Sequence, residues 1–265
     1  MTYNFDVDKI VSYLKPYRDT LSETYTWDVN INRLVPLGVL TIDELYLANT
    51  KSPYEKGIFI KEVVPPALNK YYKTDAQAFY DLCYWVISDW GGIRGFKKDN
   101  VPTLVKTFFE SKKPAFERIP SASKVGSYLY PERFVAYDSR LAYALNWAML
   151  YTGATDVFLP IPSGRNTKLA SYQMDVLIKL KYKNLYKPKS LKALNNKQYI
   201  KERDKKLYVP TEDAYMVLID LIKKINEKLH PGENANKLYM TEILLFSIAD
   251  KEVFRDITEN VNINF

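Results

Sequence analysis

The chain has 265 residues, 47% of them apolar, and a net charge of +7. That apolar share supports a sizeable core and excludes wholesale disorder. A single cysteine, Cys83, and a single histidine, His230, exclude an internal disulfide, a four-cysteine iron–sulfur cluster and a His/Cys zinc site.

No metal or cofactor is therefore expected. No run of roughly eighteen apolar residues suits a membrane span. The opening residues, Met1 to Asp6, lack the basic start and apolar stretch of a secretory signal, so a cytoplasmic location is expected. His230 precedes Pro231-Gly232 at the end of a predicted helix, where an imidazole suits the C-terminal dipole. With His230 set aside, acid–base chemistry falls to carboxylates, Lys or Tyr.

The predicted elements are almost all helical. Gly57–Val64, apolar and β-branched, is the one isolated strand candidate. Ala76–Asp89 carries Phe79, Leu82, Val86 and Ile87 at helical spacing, with Asp75 as N-cap. Trp90-Gly-Gly-Ile-Arg-Gly95 breaks that helix. It lacks the preceding strand and the spacing of a dinucleotide loop, and reads as a turn that brings backbone close to a partner, with Arg94 as a candidate phosphate contact. Further helices are expected over Pro102–Ser111, Ser121–Leu129, Ser139–Tyr151 with Gly153 as its stop, Thr211–Leu229 and Lys237–Ala249.

The positive charge is local. From Lys168 to Lys206 there are twelve Lys or Arg against Asp175, Glu202 and Asp204, a balance of +9 that leaves the rest of the chain at −2. Tyr182, Tyr186, Asn195, Asn196, Gln198 and Tyr199 are interleaved with these cations. A basic segment with aromatic and amide residues suits a phosphate backbone, and Lys181, Lys183, Lys187 and Lys189 are its candidate contacts. A solvated lysine-rich surface is the alternative. The parts divide as an N-terminal helical segment (1–75), a central helical block (76–165), the basic segment (166–210) and C-terminal helices packing back on the core (211–265).

The central block holds the most informative stretch, from Phe116 to Leu141. A turn at Pro120–Ser123 starts a helix, a loop at Pro131 follows, and the extended run Phe134–Tyr137 delivers Asp138 to the start of the next helix. An aspartate there accepts backbone N–H groups at the positive end of a helix dipole, which favours its anion. A fixed anion suits a developing oxocarbenium, although an Asp-Ser pair taken alone reads first as ordinary helix capping.

The whole pattern resembles the helix-hairpin-helix superfamily of DNA glycosylases, in its divergent 8-oxoguanine-glycosylase-like branch. Ile119-Pro-Ser-Ala-Ser-Lys124 falls on the family's hairpin and lysine, and Phe134-Val-Ala-Tyr-Asp138 on its apolar run and catalytic acid. The resemblance implies a mostly all-α fold, a glycosylase-like bundle of two helical lobes with at most minor β structure. It implies duplex DNA as partner and release of a damaged or modified base, in repair or in defence against phage DNA. A non-catalytic DNA-binding protein of the same fold is the alternative.

By this resemblance Asp138 is the catalytic carboxylate. Lys124 is a nucleophile, a phosphate contact or a structural residue, and base release without strand cleavage is expected. Ser121 and Ser123 stand where the family's hairpin glycines approach a phosphate, and Arg140 opens the following helix as a further DNA contact. Such enzymes hold an extruded base in an aromatic pocket. Trp85, Trp90 and Tyr137 are the candidates for it, with core packing the stronger alternative for any one of them.

Overall fold

The computed structural model describes residues 3–111 and 113–262. The fold is all-α. Fourteen α-helices follow one another among the described residues, and the β structure there is a single parallel bridge between Phe158 and Tyr208.

Two groups of helices share one continuous apolar core. One group consists of α4 (Pro53–Thr74), α5 (Ala76–Trp85), α6 (Val101–Glu110) and α7 (Ile119–Leu129). The other consists of α1 (Val7–Asp19), α8 (Ser139–Thr152), α12 (Thr211–Leu229) and α13 (Tyr239–Ile248). The short α2 (Leu21–Thr24) touches both α4 and α13, and α3 (Ile42–Asn49) lies on α4. Packing of α1 on α8 and α12 joins the N-terminal segment to the C-terminal helices.

The strand expected over Gly57–Val64 is instead the second and third turns of α4. Ser52 and Glu55 close a reciprocal capping box at the helix start, and Pro53 occupies the first turn, where no N–H is needed. Ile60, Val64 and Leu68 then recur every four residues and are fully buried. The β-branched content of the run misled, because the buried stripe has the helical period. A helix not foreseen, α14 (Glu252–Asn260), follows α13 and buries Val253 and Ile257. No helix among the described residues is long and apolar enough to cross a membrane.

The basic segment is an excursion from the core. Phe158 and Tyr208 meet at its base, where the Phe158 N–H donates to the Leu207 carbonyl at 2.7 Å and the Val209 N–H to the Phe158 carbonyl at 2.9 Å. Between them lie α9 (Thr167–Ser171), α10 (Met174–Lys181), α11 (Tyr199–Leu207) and short 3-10 turns.

His230 caps the C-terminal end of α12, but it is buried and does not act through its charge. Burial, with Arg18 nearby, pulls its imidazole down to about 4. The Arg18 guanidinium supplies the cation at this helix end, donating to the Leu229 carbonyl at 2.6 Å. Because the folded state binds its proton less readily than the unfolded chain, His230 adds stability above the ordinary histidine range. That stability is lost as pH falls from about 6.5 toward 4. With allowance for solvent screening, about 1 kcal/mol should disappear between pH 7 and 5. His230→Gln should flatten that part of a melting-temperature profile, and an unchanged profile would refute the assignment.

Candidate functional site

Asp138 is the N-cap of α8, and its Oδ1 accepts the Leu141 N–H at 3.0 Å. Its Oδ2 accepts from Lys124 Nζ at 2.9 Å, with the two side chains 17% and 5% exposed. Burial alone would raise the carboxyl's pKa. Lys124, the Leu141 N–H and Arg140 outweigh it and hold Asp138 below the usual aspartate value.

The run that presents Asp138, Phe134–Tyr137, belongs to no helix or strand, so its backbone needs other partners. Side chains supply them. The Ala136 N–H donates to Glu242 Oε2 at 2.8 Å, the Tyr137 N–H donates to Ser123 Oγ at 2.8 Å, and the Val135 carbonyl accepts from the Tyr215 hydroxyl at 3.1 Å. Asp138 is thus aimed by α7, α12 and α13 together.

A narrow cavity of about 30 Å³ opens beside the ion pair, between the two helix groups. Tyr25, Trp27, Trp90 and Phe246 supply its aromatic walls, and Lys124, Asp138 and Glu242 its charged lining. Trp27 meets Phe246 edge-on at 5.3 Å between ring centroids, and its Nε1–H donates to the Trp90 carbonyl at 3.3 Å.

Trp90 reaches the cavity through a local irregularity. After α5 the chain widens into one π-helical turn, Val86–Trp90, before Gly91. Such turns recur at functional sites because they displace side chains from the regular helical register. Gly91 is required here by space: a Cβ would lie 2.5 Å from Lys124 Cδ and 2.7 Å from the Ile87 carbonyl oxygen. The absence of a side chain lets the loop close over the lysine stem.

Behind this wall lies a second ion pair. Lys61 Nζ, from α4, is 2.8 Å from Glu242 Oε1 on α13, with side chains 1% and 4% exposed. The ammonium also donates to Ser127 Oγ at 3.3 Å and lies over the rings of Trp90 and Tyr128, 4.5 and 4.2 Å from their centroids. Burial pulls the pKa of Lys61 down, and Glu242 opposes that pull.

The sequence-predicted residues divide between site, core and surface. Asp138, Lys124 and Trp90 come together at the cavity. Trp85 and Tyr137 do not line it. Trp85 is fully buried in the core, and the buried Tyr137 donates its hydroxyl to the Pro160 carbonyl at 2.6 Å. Ser121 and Ser123 are corrected as phosphate contacts. Both are buried inside α7, and the Ser123 hydroxyl is spent on the Ile119 carbonyl and the Tyr137 N–H.

Arg94 is exposed on the loop after Trp90. Arg140 stands at the cavity edge, paired with Asp250 at 2.6 Å and 4.7 Å above the Phe246 ring. The Lys181 ammonium binds the Leu150 carbonyl at the C-terminal end of α8, which removes it from the set of free phosphate contacts, whereas Lys183, Lys187 and Lys189 are exposed. Lys181 marks the end of α8 opposite Asp138, about 20 Å away along the helix.

Sequence reasoning missed Glu242, Lys61, Trp27, Phe246 and Tyr25. Glu242 carried a signal, as a carboxylate within the apolar run Met240–Ile248, where a buried charge requires a partner. No family model matches the chain, and no curated protein or solved structure is similar to it.

Proposed function

We propose that the protein is a DNA glycosylase of the helix-hairpin-helix type, hydrolysing the N-glycosidic bond of a damaged or modified base swung out of the duplex. The observation that carries this reading is the Lys124–Asp138 pair at 2.9 Å on the wall of an aromatic cavity. A carboxylate kept ionised by a helix N-terminus and an ammonium suits a sugar that develops positive charge at C1′. Planar walls suit a base removed from its stack.

In the proposed reaction the C1′–N bond breaks and its electron pair leaves with the base. Water adds to C1′, and the proton it loses balances the N–H of the released base. Asp138 stabilises the cationic sugar and orients the water. Lys124, held against Asp138, serves as counter-charge and not as nucleophile, so the product is an intact strand with an abasic site.

The test is incubation of the purified chain with end-labelled duplexes carrying assorted modified bases, followed by alkali. Breaks that require alkali, with no adduct trapped by borohydride, are the expected result. An imine trapped through Lys124 would overturn the assignment of the lysine, because only a Schiff base is reducible in this way. Absence of base release from every duplex would overturn the glycosylase reading.

Exposed Lys183, Lys187 and Lys189 are the proposed phosphate contacts of the basic segment. Each contact adds about 0.9 to the slope of log K against log salt on duplex DNA. Reversal of all three to Glu should therefore flatten the slope by two to three units, roughly. The loss should be equal for modified and unmodified duplexes, because phosphates carry no sequence information. An unchanged slope in salt titrations would make the segment a solvated surface only.

A further inference from the structure

Glu242 is the one charged group lining the cavity that the proposed reaction does not use. Its side chain is 4% exposed and each oxygen has a protein partner, Lys61 for Oε1 and the Ala136 N–H for Oε2. A carboxylate accepts about four hydrogen bonds, so each oxygen retains an acceptor direction. Apart from Tyr25, which carries a hydroxyl, the rest of the lining discriminates little. Trp27, Trp90 and Phe246 present ring faces and edges, which every base satisfies alike. Lys124 and Asp138 are closed on each other.

We propose that Glu242 is the specificity-determining acceptor of this cavity, and that the cavity takes a nucleobase carrying an exocyclic amino group. The inference rests on the glycosylase reading for its reaction and adds the class of base. An amino group projects beyond the ring and can reach a carboxylate at the cavity wall. A thymine- or uracil-type edge cannot do so equally well, because its ring N–H is flanked by two carbonyl oxygens that would face the same carboxylate. Lys61 holds the Glu242 carboxylate in place, and its contact with the Trp90 face ties the acceptor to the stacking wall.

The first measurement uses the full wild-type chain and free nucleosides, read by quenching of tryptophan fluorescence. Adenosine is compared with purine riboside, and cytidine with its 4-desamino analogue, so that only the amino group differs. The amino-bearing member of each pair should bind roughly tenfold more tightly, the loss expected when a buried charged acceptor is left without its donor. Equal binding within both pairs would overturn the proposal.

The second measurement repeats the comparison with Glu242→Gln, whose amide keeps the shape but adds a donor. The amino preference should collapse and carbonyl-bearing nucleosides should gain, a reordering that general loosening of the fold would not produce. An amino preference retained at full strength in the variant would assign the discrimination elsewhere and refute the role of Glu242. If the variant fails to melt as a folded protein, the wild-type pairs alone decide. Amino-selective binding without base release from any duplex would sink the glycosylase reading and leave this inference standing. Base release indifferent to the amino group would do the reverse.

Discussion

Asp138→Asn should lower the rate of base release by at least ~10²–10³, the effect of removing one positioned electrostatic stabiliser. The asparagine keeps the size of the side chain and can still accept the Leu141 N–H, so α8 retains its cap. What disappears is the negative charge 2.9 Å from Lys124. The lysine then stands uncompensated beside the cavity, where its charge opposes that of the developing sugar cation. Binding to unmodified duplex should change little, because the exposed lysines proposed to touch phosphate belong to the basic excursion and not to the cavity lining. Base release near the wild-type rate in Asp138→Asn would end the assignment.

The same electrostatics fix the acid limb of the pH profile. Asp138 has its pKa lowered in the folded protein against the upward push of burial, chiefly by Lys124. Its anion, and the stability of its ion pair, are therefore fully present above the ordinary aspartate value of about 3.9 and are lost only as pH falls through the lower folded value. Titration of Asp138 thus leaves no limb in the neutral range. His230 titrates outside the site, at a helix end tied to α1 by Arg18.

How much of this was legible in the sequence follows from the range of each interaction. Helices with a periodic apolar face and local signals were readable. Thr211–Leu229 has the boundaries that its pattern predicts, and Gly153 ends α8 at a φ of 63°. Asp138 was readable for the same reason, since an N-cap is a contact within four residues. Lys124 was readable as part of a motif, but its partner was not, because the bond depends on how α7 folds back on the extended run.

The misses are contacts that join distant parts of the chain. Glu242 comes to the site from α13 and Lys61 from α4, 181 residues apart in sequence. Ser123 has the chemistry of a phosphate contact and is buried, because the Phe134–Tyr137 run needed a hydrogen-bond partner. Tyr137 stands next to Asp138, yet its side chain turns into the core, stacked on Tyr215 with its hydroxyl on the Pro160 carbonyl. Adjacency in sequence to the candidate acid was the wrong criterion there.

Lys61→Met should be the most destabilising substitution at the site, although Lys61 lies outside the cavity lining. The Lys61–Glu242 pair is almost completely dry, with side chains 1% and 4% exposed, and the change would leave the Glu242 carboxylate buried without a counter-charge. Removing one member of such a pair costs about 3–5 kcal/mol. In a chain of this size that corresponds to a fall in melting temperature of roughly 10 °C. The cost arises from the orphaned charge more than from loss of the attraction itself, and this makes a further result predictable. Lys61→Met combined with Glu242→Gln removes both charges and keeps an amide oxygen for the Ala136 N–H, so it should recover a large part of the loss. The double variant should approach wild-type melting while base discrimination stays altered, which separates the stability role of the pair from its role in the cavity. Thermal melts of the two single variants and the double variant measure the coupling directly. Additive losses, with no recovery in the double variant, would mean that the two side chains do not act as a pair.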